Sequence, residues 1–310
     1  MTLFVRPIVR LAQSLTWGLL LTLVLGLGLA APAWAEPPLW VVHGPHATIV
    51  LFGSVHLLPE GLKWEPQALK DDIAHADDLW FEIPIDDAAA LAAAQTALSR
   101  GMQPAGVTLR SELSVADQAR LAHIAAKCGV SVDRLDPLKP WLAEVTLALA
   151  AYRQAGALQD DGVEKTLSAS APPHLMRRAF ETPQEQIGYL SGASLPDQIA
   201  SLRQTLTELE QGAASYQRLV AAWNAGDVKG LEAEAVDPLR DEAPGVYKLL
   251  VIDRNRRWID AIRQRLAGSG LSVMVVGVGH LVGPDSVPAL LRAQGIKVDG
   301  PEAPAPVSPP

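Results

Sequence analysis

The chain has 310 residues, of which 49% are hydrophobic and 19% charged, with a net charge of −8. That length suffices for a substantial core in one large domain or two smaller ones. The acidic balance excludes non-specific binding to nucleic acid or anionic lipid, and Cys128, the single cysteine, excludes an intrachain disulfide.

The first 35 residues read as a targeting segment. Arg6 and Arg10 form a basic n-region, Trp17 to Ala30 is an apolar h-region, and Ala33-Trp34-Ala35 fits the small-x-small cleavage pattern. Cleavage before Glu36 is expected, giving an exported chain, periplasmic or secreted. The competing reading is an uncleaved anchor over residues 17–31, because the apolar stretch is only slightly short of a spanning helix. Arg6 and Arg10 are not adjacent, so a twin-arginine route is not indicated. Without them 24 cationic side chains face 34 acidic ones, a net charge of −10.

Leu39 to Val42 and Thr48 to Phe52 are apolar runs around His43-Gly44-Pro45-His46, the pattern of a β-hairpin. A helix is expected over Pro66 to Ala76, then a strand over Leu79-Trp80-Phe81-Glu82-Ile83, stopped by Pro84. Asp86 and Asp87 open an alanine-rich helix to Arg100, and the whole run suggests a βαβ unit. The middle is helical: Ser114 with Asp117 caps a helix to Lys127, where Cys128 is a small apolar filler. Pro140 to Gln154, Leu195 to Asn224 and Pro244 to Leu266 follow as helical stretches. Strand character returns over Leu271 to Val276, followed by a helix over Pro288 to Gln294 and a strand over Gly295 to Val298. Residues 301–310 are half proline and are expected to be disordered. The fold class is α/β: two βαβ-type halves forming a central sheet, with a large helical insertion between them over about residues 104–266, in one domain spanning 36–300.

Two apolar strands end alike, in Gly53-Ser54-Val55-His56 and Gly277-Val278-Gly279-His280. The glycine permits a tight turn or a close approach, and the histidine emerges where an open α/β sheet places its ligand crevice. Side by side, such strands would aim two imidazoles at one spot. Of the seven histidines only these two follow a strand and a glycine; His43 and His46 read as surface residues on a hairpin turn. Glu82 lies in an otherwise apolar strand, on one face with Trp80 and Pro84. It is either a strand-edge glutamate facing water or a ligand or general base beside His56. Two imidazoles and one carboxylate suffice to hold a catalytic divalent metal with an open water position. Arg254 lies in the basic run Arg254-Asn255-Arg256-Arg257, either on a solvated face or turned inward to hold a carboxylate or a developing oxyanion. GxSxG, HExxH, CxxC and P-loop motifs are missing, and Gly192-Ala193-Ser194-Leu195-Pro196 has proline where a serine elbow needs glycine.

Taken together these residues resemble the TraB/GumN family, which includes the Tiki proteases. The likeness spans roughly Leu39 to Val298. It rests on Phe52-Gly53-Ser54-Val55-His56, Asp77-Asp78-Leu79-Trp80-Phe81-Glu82, Leu138-Lys139-Pro140-Trp141 and Phe180-Glu181-Thr182-Pro183-Gln184-Glu185-Gln186, then Arg254-Asn255 with Trp258, and Val276 to Gly283. The resemblance implies an α/β fold with both GxxH histidines and a glutamate around one site. Through the Tiki branch it also implies divalent-metal-dependent peptidase activity. Carried over residue by residue, it points to His56, Glu82, Arg254 and His280 as catalytic residues, with His56, Glu82 and His280 as ligands of Mn, Co or Zn. One departure is the basic run Met176-Arg177-Arg178-Ala179, which argues against burial of that strand. An exported metal-dependent hydrolase acting on a peptide or protein substrate is therefore expected. The first alternative is a non-catalytic envelope protein binding a peptide or haem through the same histidines. A structural subunit of an envelope or polysaccharide assembly is the third reading.

Overall fold

The structure is a computed structural model and describes residues 36–158 and 160–301. The expected targeting segment, residues 1–35, and the expected disordered tail beyond Pro301 lie outside the described residues. Among the described residues there are eight strands: β1 (Leu39–His43), β2 (Ala47–Ser54), β3 (Leu58–Pro59), β4 (Asp78–Phe81), β5 (Ala157–Leu158), β6 (Met176–Ala179), β7 (Gly270–Gly277) and β8 (Lys297–Asp299). Six form the central sheet in the order β6-β4-β7-β2-β1-β8, while β3 and β5 form a small ribbon of their own. The fold is the expected mixed α/β arrangement around a central sheet, with the helical insertion between β4 and β7.

β2, β7, β4 and β6 are mutually parallel, and β1 is antiparallel to both of its neighbours. β2 and β7 carry continuous apolar runs because both faces of the inner sheet are covered. Ile49 to Phe52 and Val273 to Val276 are all buried. The two GxxH strands do lie side by side, with β7 between β2 and β4, so the halves of the chain interleave. The repeat is staggered by one residue: Gly53 lies beside Val276, and Ser54 beside Gly277. β8 returns to the far edge against β1. β6 is the opposite edge and is largely exposed, as its two arginines imply.

The insertion holds a second apolar cluster, where Leu121, Ile124, Leu147, Leu202 and Leu206 join the Val115–Lys127, Pro140–Gln154 and Leu195–Glu210 helices. Burying Leu202 or Leu206 contributes about 1.5–3 kcal/mol each. The long stretch from Leu195 breaks near Gly212, whose φ of +71° suits glycine, and resumes as Ala214–Asn224. The stretch from Pro244 contains a π-helical turn, Lys248–Asp253, before the Arg254–Leu266 helix. β4 ends at Phe81, so Glu82 stands just past the strand rather than within it. Among the described residues no helix is long and apolar enough to cross a membrane.

Candidate functional site

The carboxyl ends of β2, β4 and β7 converge, and each delivers one expected residue. After β2 the chain keeps close to β7: a Cβ on Gly53 would lie 2.8 Å from Val278 Cγ2. The Gly53 carbonyl accepts a hydrogen bond from the Trp223 indole at 2.7 Å. After β7 a single turn, Val278–His280, buries His280. A Cβ placed on Gly277 would lie 3.1 Å from Glu82 Oε1, 3.8 Å from His280 Cδ2 and 4.0 Å from His56 Nε2. Gly277 has φ −50° and ψ 133°, which any residue adopts, so glycine here preserves space and not backbone freedom.

Arg254 ties this cluster together. Its Nε donates to both oxygens of Glu181 at 2.9 and 3.1 Å, and Nη2 donates to Glu82 Oε2 at 2.5 Å and Glu181 Oε2 at 3.0 Å. Nη1 donates to the Leu250 carbonyl at 3.3 Å and to His280 Nε2 at 3.0 Å. All five N–H groups of the guanidinium are thereby committed. Arg254 is 5% exposed and turned inward, and it serves as a carboxylate anchor with no donor left for an oxyanion. Burial would lower its pKa, but Glu82 and Glu181 outweigh that and raise it. Burial alone would likewise raise Glu82, and Arg254 above all holds it instead well below the usual carboxylate range. Glu82 Oε1 accepts from the Gly277 backbone N–H at 2.7 Å, and Oε2 also accepts from Gln186 at 2.9 Å.

The histidines differ sharply. His280 accepts from Arg254 at Nε2, so its proton sits on Nδ1 and is donated to Asn255 Oδ1 at 2.7 Å. Burial, then the guanidinium, pushes its pKa down to about 3, leaving a neutral ring packed 4.4 Å from the Trp258 ring. His56 instead holds Glu164 Oε1 at 2.6 Å through Nδ1, and the same oxygen accepts from the Ser54 hydroxyl at 2.5 Å. Glu164 raises the His56 pKa to about 9, against a smaller opposing effect of burial. The His56 side chain is 62% exposed, and water screens part of that pull.

A divalent cation needs lone pairs pointing at one centre. His56 Nε2 offers a lone pair only in the neutral ring, with Nδ1–H held by Glu164. Glu82 has N–H donors on both oxygens, and His280 Nε2 faces a guanidinium 3.0 Å away. Arg254 holds the cationic place beside Glu82, so the trio as arranged does not fit a divalent metal. Among the described residues no group of three or more His, Cys, Asp or Glu side chains is set to hold one.

The model of the TraB/PrgY/gumN family matches residues 38–300. The chain belongs to that family. It is also 23% identical over 306 residues to an uncharacterized protein of Treponema pallidum (strain Nichols), a match covering 94% of this chain and 88% of the relative. No solved structure matches.

The family-like segments are scattered along the chain, yet most close around this site. Glu181 and Gln186 hold Arg254 and Glu82, and Asn255 and Trp258 hold His280 and Glu181. These four were visible only as parts of motifs. Their helical neighbours gave a further signal: Arg254 and Asn255 share a face with Trp258, Ile259 and Ile262, so both belong to the buried stripe. Glu164 carried no signal, since it sits in Val163-Glu164-Lys165-Thr166, outside every motif. His43 bonds Asp299 at 2.7 Å and, like His46, stays away from the site at the surface.

Proposed function

We infer that this member of the TraB/PrgY/gumN family is a hydrolase that adds water across an acyl bond, a peptide bond above all. One observation carries the reading: Glu82 Oε1 and His56 Nε2 face one spot, 3.1 and 4.0 Å from the point where a side chain on Gly277 would begin. A water at that spot donates to both groups. Neutral His56 takes its proton at Nε2, the imidazolium is stabilised by Glu164 at Nδ1, and the proton passes on to the leaving group. Glu82 accepts a hydrogen bond from the water but does not take its proton, because Arg254 favours the carboxylate so strongly. Arg254 and His280 are positioning residues for Glu82. The Tiki branch of the family supports a peptide substrate. The basic n-region with Ala33-Trp34-Ala35 supports an exported mature chain starting at Glu36.

Purified protein incubated with a peptide mixture is expected to produce new termini by mass spectrometry. His56→Ala should slow cleavage by about a hundredfold or more. Gly277→Ala should do the same with circular dichroism unchanged, because its methyl group would crowd Glu82 Oε1 at 3.1 Å and stand next to His56 Nε2. Cleavage surviving both substitutions would sink the reading. Activity lost to a chelator and restored by Mn²⁺, Co²⁺ or Zn²⁺ would instead show a rearranged site, with the ion displacing Arg254 from Glu82.

A further inference from the structure

Ser54 ends β2 beside Gly277 of β7, and the hydrolytic reading gives it no part. It is 3% exposed, so its hydroxyl has to find a partner within the protein. That hydroxyl donates to Glu164 Oε1 at 2.5 Å, and His56 Nδ1 lies 2.6 Å from the same oxygen. One carboxylate oxygen therefore serves two donors. One is buried, and the other belongs to an imidazole side chain that is 62% exposed.

The local chain explains the convergence. Residues two apart in an extended segment share a side, and Ser54 and His56 both reach Glu164. Val55 between them accepts at its carbonyl from the Val163 N–H, 3.2 Å away. Three consecutive residues are thus fastened to the first turn of the Val163–Ser170 helix. The Val55 bond holds the helix end, and the Ser54 bond holds the carboxylate. Burial alone would raise the Glu164 pKa, and the charge and hydrogen bond of His56, then the Ser54 bond, lower it instead. A neutral imidazole has two tautomers, and the hydrogen bond at one ring nitrogen decides between them. Left to water, an exposed ring samples both. An acceptor fixed at Nδ1 selects Nδ1–H and leaves the lone pair on Nε2, which faces the spot beside Gly277.

We propose that Ser54 is a positioning residue for His56. Its hydroxyl pins Glu164 Oε1 against Nδ1, and the neutral ring is thereby held as the Nδ1–H tautomer with the Nε2 lone pair toward the reacting water. Ser54 itself meets neither water nor substrate and acts through Glu164. The catalytic consequence rests on the hydrolase reading, whereas the tautomer is a property of the resting protein.

Long-range proton–nitrogen correlation spectra of nitrogen-15-labelled protein, recorded above the His56 ionisation, read the tautomer, with the His56 signals assigned from His56→Gln. The wild-type ring should be mainly Nδ1–H. Ser54→Ala should shift the tautomer ratio toward Nε2–H about fivefold. Ser54→Thr, which keeps the hydroxyl, should retain the wild-type ratio. Ser54→Cys, similar in size with only a weak donor, takes the place of Ser54→Ala if that variant does not fold. A wild-type ring that is mainly Nε2–H, an unchanged ratio in Ser54→Ala, or a Ser54→Thr ring that shifts as far as Ser54→Ala would overturn the assignment. On a cleaved peptide, Ser54→Ala should lower kcat about fivefold with KM unchanged. Wild-type protein that cleaves nothing would sink the hydrolase reading and leave the tautomer result standing, so the two fail separately.

Discussion

At His56 the Glu164 carboxylate, 2.6 Å from Nδ1, favours the imidazolium, whereas at His280 burial and the Arg254 guanidinium favour the neutral ring. The same four-residue pattern thus yields two histidines of opposite character. Of the two, His56 has an orienting carboxylate and a ring nitrogen facing the spot beside Gly277, so in the proposed hydrolysis it carries the proton. With neutral His56 as the base of the proposed hydrolysis, the rate should rise with pH through its ionisation and level off above it. Glu164→Gln removes the charge that raises the pKa. The midpoint of that profile should therefore move to lower pH, and the maximal rate should fall about tenfold or more. A profile that keeps its midpoint would show that Glu164 acts on folding alone. His56, Glu82 and His280 were legible because chemistry-bearing residues at the ends of apolar strands stand out. Glu164 was not, since its link to His56 crosses 108 positions and no local pattern encodes that distance.

The helices that bear on the site were legible in outline, and their interruptions were not. Proline, serine and aspartate mark where helices start, as at Ser114 and at Ser194, whose hydroxyl accepts from the Asp197 N–H. The π-helical turn before Arg254 has no such mark, because the apolar periodicity continues through it. Glu144, carried by one helix and bonded by Ser201 and Thr205 of another, ties pH to stability. Burial, with a push from Glu208, raises its pKa from 4.5 to about 7. Between those values the folded protein keeps a proton that the unfolded chain has lost, so this group's contribution to stability is full below about pH 4.5 and disappears as pH rises through about 7. Glu144→Gln should gain on the wild-type protein across that window, by up to about 1.4 kcal/mol per pH unit in urea unfolding. A difference independent of pH would refute the assignment.

Across the whole molecule, the sheet brings the two ends of the chain together. β7 follows the helical insertion yet lies between β2 and β4, so neither the sheet nor the site closes until the last strands arrive. Hydrogen exchange should report this arrangement. Amides of β2 and β7, paired along eight residues and buried on both faces, should exchange only on global unfolding, and those of β6 at the exposed edge should exchange first. Equal protection of β6 and β7 would contradict it. By itself the sequence determined the family, the α/β class, the paired GxxH strands and the candidates His56, Glu82, Arg254 and His280, because apolar periodicity, strand-ending glycines and ordered motifs are properties of short segments. Only the tertiary structure decided that Glu181 and Glu164 lie at the candidate site, that Arg254 spends every donor on its neighbours, and that the pKa values of the two histidines are pushed in opposite directions. Those outcomes follow from burial and from distances of a few ångströms between remote segments, and electrostatic interaction depends on that separation.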